Sequence, residues 1–168
     1  EGTAEETAEM VNRCMNVDDL NRPVLQKNGY LVSPLFFIRQ NCFLQAIERE
    51  LQSTHALIRS DLYPGLLNNQ DPKGVELLLR YCPSFEFMEM ETNWTPRAIE
   101  HMIAMLGNED ETVWRKALAF LRDFSGKNVV VDSDNKAIET PNREQVLASI
   151  PFWEKWWKQC DGKAPLRF

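Results

Sequence analysis

Apolar residues return every three or four positions along much of this chain. Between Leu35 and Leu51 the series is Leu35, Ile38, Cys42, Leu44, Ala46, Ile47 and Leu51, with Arg39, Glu48 and Glu50 facing outward. That is the 3.6-residue period of an amphipathic helix. This run opens at Ser33-Pro34, reaches Leu51 at the least and extends toward Arg59. The same period recurs at Val75, Leu78, Leu79 and Cys82. It returns at Ile99, Met102, Ile103 and Leu106, at Val113, Ala117, Leu118 and Leu121, and finally from Val146 through Ile150 to Gln159. A further helix begins at the capping box Thr3 to Glu6 and carries Ala8, Val11 and Met15. Residues 21–33, with Pro23 and Asn28-Gly29, read as a connector.

The polar positions punctuate these runs. Ser33-Pro34, Asp71-Pro72, Thr95-Pro96 and Thr140-Pro141 each place a capping side chain directly before a proline. Proline at the first helical position gives up an N–H that has no intrahelical partner, and the preceding oxygen accepts from an N–H one turn on. Four helix starts are therefore expected there. Pro64-Gly65 and Asn68-Asn69 are expected to break the long run, Pro83 to end the next helix, and Gly107 to take the left-handed position that closes a helix. Residues 128–132 (Asn-Val-Val-Val-Asp) are the one strand candidate. Lys136 to Glu139 returns as a second strand, giving a small β-hairpin near 128–139.

The expected architecture is mostly α: one domain over 1–168. It has an N-terminal helix and connector (1–33), helical pairs (34–124), the hairpin (125–140) and a Trp-rich C-terminal helix (141–168). At 168 residues the chain is long enough for a real core. Its net charge of −6 and its scattered Lys and Arg argue against nucleic-acid binding; the acidic surface reads first as a well-solvated one and second as a surface for a basic partner. No apolar stretch approaches the ~18 residues of a membrane span. Cys14, Cys42, Cys82 and Cys160 have no CxxC spacing and share none with His55 or His101, so no zinc site and no cofactor is expected. Cys42 and Cys82 fall in apolar helical runs as buried thiols. Glu1 in place of a starting Met fits a mature exported protein or a fragment. Asn93-Trp94-Thr95 is a glycosylation triplet disfavoured by Pro96.

Two stretches repeat. Leu66-Leu67-Asn68-Asn69-Gln70-Asp71-Pro72 aligns with Met105-Leu106-Gly107-Asn108-Glu109-Asp110-Glu111 at a spacing of 39 residues, and each precedes a valine, Val75 or Val113. A helix–turn–helix period near 40 marks HEAT and armadillo repeats. Pro96 to Phe124 resembles a HEAT repeat: Pro96 at the start, Ile99, Ile103 and Leu106 as inner stripe, Asn108-Glu109-Asp110 as acidic turn, then Val113, Arg115 and Ala117. The ending, with Ser125-Gly126, Arg143 and Trp153-Glu154-Lys155-Trp156-Trp157, resembles bacterial HEAT-like proteins. The resemblance implies a short α-solenoid that binds a protein or peptide, with no catalytic residues to carry over.

Candidate sites follow from composition along the chain. Trp153, Trp156 and Trp157 share one helical face and are expected to seal the core. Glu86, Glu89 and Glu91 alternate with Phe85, Phe87, Met88 and Met90. As structure this is an extended connector whose apolar residues tuck under the helices, the favoured reading; as function it makes Glu86, Met88, Glu89, Met90 and Glu91 the candidate partner-binding residues. Asp132, Asp134 and Asn135 resemble the start of a calcium loop, but Ala137 and Arg143 stand where Gly and Glu are required. No serine lies in a G-x-S-x-G context, and no phosphate-binding glycine pattern exists. The expected function is a non-catalytic interaction scaffold. The alternatives are an enzyme of unrecognised type with an interhelical cleft, or a structural subunit of an envelope complex.

Overall fold

In the computed structural model the described residues are 6, 41–54, 63–82, 95–127, 130 and 137–161. Among them the structure is mostly helical: α1 (Asn41–Thr54), α2 (Tyr63–Leu67), α3 (Pro72–Tyr81), α4 (Pro96–Met105), α5 (Glu111–Ser125) and α6 (Arg143–Gln159). Contacts divide the chain into two compact units between positions 93 and 94, with α1–α3 in the first and α4–α6 in the second. The helices expected from Thr3 and from Ser33-Pro34 begin outside the described residues.

In the first unit, α1 buries Leu44, Ile47 and Leu51, the stripe its period predicts, while Gln45 and Arg49 stay exposed. Pro64-Gly65 does not break the chain. Both residues lie inside α2, in its first turn, where the missing proline N–H costs no hydrogen bond. The joint between α2 and α3 falls at Asn68–Gln70. Asp71 then caps α3, its side chain accepting from Lys73 N at 2.9 Å, and Val75, Leu77, Leu78 and Leu79 are fully buried. Gly74 is required by contact: a Cβ there would lie 2.5 Å from Leu66 O and 2.8 Å from Asn69 Cβ. Lys73 Nζ bridges Glu48 on α1 at 2.9 Å and Glu76 at 3.2 Å, and Glu76 also takes Arg80 at 2.8 Å. Burial opposes the Lys73 charge, but the hydrogen bonds and charges of Glu48 and Glu76 outweigh it and raise its pKa.

In the second unit, Thr95 Oγ1 accepts from Ala98 N and Pro96 opens α4, as the Thr-Pro pair predicts. Ile99, Met102, Ile103 and Leu106 are buried. Gly107 is not left-handed. Leu106 caps α4 in the right-handed region, and the left-handed glycine is Gly126, at φ 65°, which closes α5. Nor does Thr140-Pro141 start α6. Asn142 is the cap, its side chain accepting from Gln145 N while Gln145 Oε1 accepts from Asn142 N, both at 2.9 Å. This reciprocal pair satisfies two backbone donors where threonine offers one acceptor. Pro151 sits inside an uninterrupted α6 on its exposed side.

Of the expected hairpin, residues 128–129 and 131–136 lie outside the described residues. Within them there is no strand, only a bridge at Ala137 and the bond from Ile138 N to Val130 O at 2.8 Å. Arg122 on α5 holds this segment, donating to Ile138 O at 2.6 Å and Glu139 O at 3.0 Å. Arg143 does the same work at the other end. It donates to Leu106 O at 2.5 Å and Gly107 O at 2.8 Å, and its guanidinium lies 5.7 Å from the Trp114 ring centre. The start of α6 thus sits at the end of α4, so these two helices run antiparallel. Trp156 meets Phe124 edge-on at 6.4 Å near the far ends of α6 and α5. With Arg143 at Trp114, this makes α5 and α6 run in the same direction.

The two turns of the 39-residue repeat share one hydrogen-bond pattern. Asn69 Oδ1 accepts from Asp71 N at 3.0 Å, and Asn108 Oδ1 from Asp110 N at 2.9 Å. Asp71 and Asp110 then cap α3 and α5, each accepting at 2.9 Å from the N–H two residues on. Gly74 and Val113, again 39 apart, donate to the Asp carbonyls at 3.1 Å. The repeat seen as letters is therefore a repeat of geometry.

Candidate functional site

An open groove of about 420 Å³ lies between α4 and α6. Its floor is Ile103 and Ala104 from α4 with Ile150 and Trp157 from α6. Its lips carry Glu100 on α4, and Glu154 and Lys158 on α6. The pattern that folds each helix also builds this groove. On α4, Ile103 belongs to the buried stripe, and Ala104 beside it is exposed and too short to fill the gap. On α6, the buried face is Val146, Ser149, Trp153, Trp156 and Trp157. Ile150 and Glu154 follow on the flank of that face that turns toward α4. Leu147, 41% exposed, stands one turn before Ile150 on the same flank and lengthens the apolar strip.

Glu100 and Glu154 are exposed, and among the described residues neither makes an ion pair. Three other carboxylates are engaged: Glu48 and Glu76 with Lys73, Glu76 with Arg80, and Glu111 with Arg115 at 2.6 Å. The groove thus offers apolar contact along its floor and a carboxylate on each lip, with Lys158 one turn beyond Glu154 on the α6 side. The buried polar side chains among the described residues, Asn69 and Ser149, both serve the backbone: Asn69 shapes its turn, and Ser149 Oγ donates to Val146 O at 2.6 Å. No group of three or more His, Cys, Asp or Glu among the described residues is placed to hold a metal ion. No described helix is long and apolar enough to cross a membrane.

The expected partner loop, Glu86, Met88, Glu89, Met90 and Glu91, lies outside the described residues. Trp153, Trp156 and Trp157 are 0%, 5% and 7% exposed and form a chain of ring contacts, 5.6 Å from Trp153 to Trp156 and 5.9 Å from Trp156 to Trp157. Trp157 also gives part of its ring to the groove floor, which its position in the stripe does not reveal. Trp153 Nε1 is buried without an acceptor among the described residues, a cost of about 1–3 kcal/mol that the ring's packing offsets. Cys82, the C-terminal cap of α3, is buried, as its place at the end of an apolar helical run predicts, and Cys160 is half-buried; neither is in a disulfide, and the side chain of Cys42 is outside the described set.

Sequence reasoning passed over the groove because its two walls come from positions 100–104 and 150–158, which only tertiary packing joins. The one local signal was Ala104, a small residue next to the apolar stripe of α4. No known protein family, curated protein or solved structure shows significant similarity to the chain.

Proposed function

We propose that this chain is a non-catalytic interaction scaffold made of HEAT-like helical pairs, which holds a segment of a protein partner along the α4–α6 groove. The groove is the observation that carries this reading: an open apolar floor edged by charge is the form of a peptide-docking site. The twin turns of the 39-residue repeat support the HEAT-like part, because stacked repeats need the same corner at each helix pair.

The test is affinity capture by the wild type beside an Ala104→Arg variant. Ala104 is exposed and arginine is a good helix former, so the variant keeps its fold while its side chain fills the groove. A protein retained by the wild type and lost by the variant, at equal melting temperature, is the expected result. A protein held equally by both would place the docking surface elsewhere and sink the assignment.

A further inference from the structure

From the charges on its two lips we infer that the groove selects an amphipathic protein segment whose apolar stripe is bordered on both sides by Lys or Arg. This inference rests on the docking reading above and names the chemistry of the occupant.

The groove is narrow in what it offers. Ile103, Ala104, Ile150 and Trp157 supply only apolar contact. At about 420 Å³ it is toward the small end of ligand clefts, which run from about 300 to 1,000 Å³. It suits a few side chains along one face of a segment better than a large ring system. Selectivity must come from the lips. Glu100 stands on one and Glu154 on the other, both exposed and both without an ion pair among the described residues. A segment lying between them meets a carboxylate on either side of its apolar stripe. Lys158 sits one turn beyond Glu154 at a single end of the groove, so it fixes direction by accepting one acidic residue there. Over longer range, the chain as a whole carries −6, which draws a basic segment and repels phosphate. The same carboxylates disfavour nucleic acid and anionic lipid, and this leaves a basic peptide as the occupant.

The test uses the full chain and a random twelve-residue peptide library displayed on phage, counter-selected against the Ala104→Arg variant. Enriched peptides are expected to combine two or more apolar residues with flanking Lys or Arg. Measured by fluorescence anisotropy, the best of them should bind a Glu100→Gln/Glu154→Gln variant roughly three- to tenfold more weakly, the range of two exposed ion pairs. That difference should shrink as salt is raised. Peptides that depend on Ala104 but carry no basic excess, or bind the double variant equally well, would overturn the inference and leave the groove standing as a docking site. Enrichment of no Ala104-dependent peptide would overturn the docking reading itself. Both variants alter exposed side chains, and unchanged thermal melting confirms their fold.

Discussion

Gly74→Ala sets two physical effects against each other with opposite signs. Within a helix, alanine is better than glycine by about 0.5–1 kcal/mol, because glycine loses more backbone freedom on folding. On propensity alone the substitution stabilises. The structure says otherwise. The new methyl would sit 2.5 Å from Leu66 O and 2.8 Å from Asn69 Cβ, closer than real Cβ contacts come. The first of these is backbone and cannot rotate away. Relief requires α3 to move off α2, and with it the Asn69–Asp71 turn whose bond is 3.0 Å long. Overpacking of this kind costs about 1–3 kcal/mol, and forced backbone movement belongs at the upper end. The expected net is a loss of about 1–2 kcal/mol. Urea unfolding can read it in a way that also reports where the loss occurs. All five tryptophans fall in residues 94–168, so far-UV circular dichroism follows every helix while tryptophan fluorescence follows the second unit alone. Gly74→Ala should lower the dichroism midpoint. A midpoint raised or unchanged would show that α2 and α3 do not approach as described and would refute the argument.

Three further outcomes are expected. Asp161, just past the cap of α6, is a non-glycine residue at φ 52° and places a negative charge at a helix C-terminus; Asp161→Gly should raise stability by about 0.5–1 kcal/mol in thermal melts. Trp156→Ala should cost about 3 kcal/mol, since it removes a ring packed on Trp153, Trp157 and Phe124, and an unaltered melting temperature would contradict its placement. Lys73 has a raised pKa when folded, so its pairing with Glu48 and Glu76 stabilises below the ordinary lysine value of 10.5 and is lost as pH rises beyond it; wild type should lose stability there more steeply than Lys73→Met, and parallel pH profiles would show that the pairing adds nothing.

Much of the helical plan was legible because its signals are local. Asp71, Thr95 and Asp110 act on N–H groups two or three residues away, and the sequence displays both partners side by side. The stripes of α4 and α5 are equally local, each being set by the period of one helix. The errors have a common cause in choosing between competing local signals. Thr140-Pro141 was a plausible start for α6, but Asn142 with Gln145 offers a second reciprocal bond and prevails. Gly107 was a plausible left-handed cap, but the Asn108 turn that follows uses a right-handed Leu106 instead, and the left-handed role falls to Gly126. The groove was not legible at all, since Ala104 and Ile150 become neighbours only when α6 docks on α4.

That docking has a consequence for the order in which the second unit assembles. α4 and α5 meet through a five-residue turn, so they find each other at little entropic cost and can form early. α6 must close against them over a separation of 36–37 residues, the span bridged by Arg143 to Gly107 and Leu106. Loop closure of that length is paid before any of its contacts are gained. Arg143 is therefore a latch that engages late, and the groove exists only in molecules where it has engaged. A nascent or partly unfolded chain would present α4 and α5 as a hairpin without the groove, so the proposed docking would depend on completion of the fold.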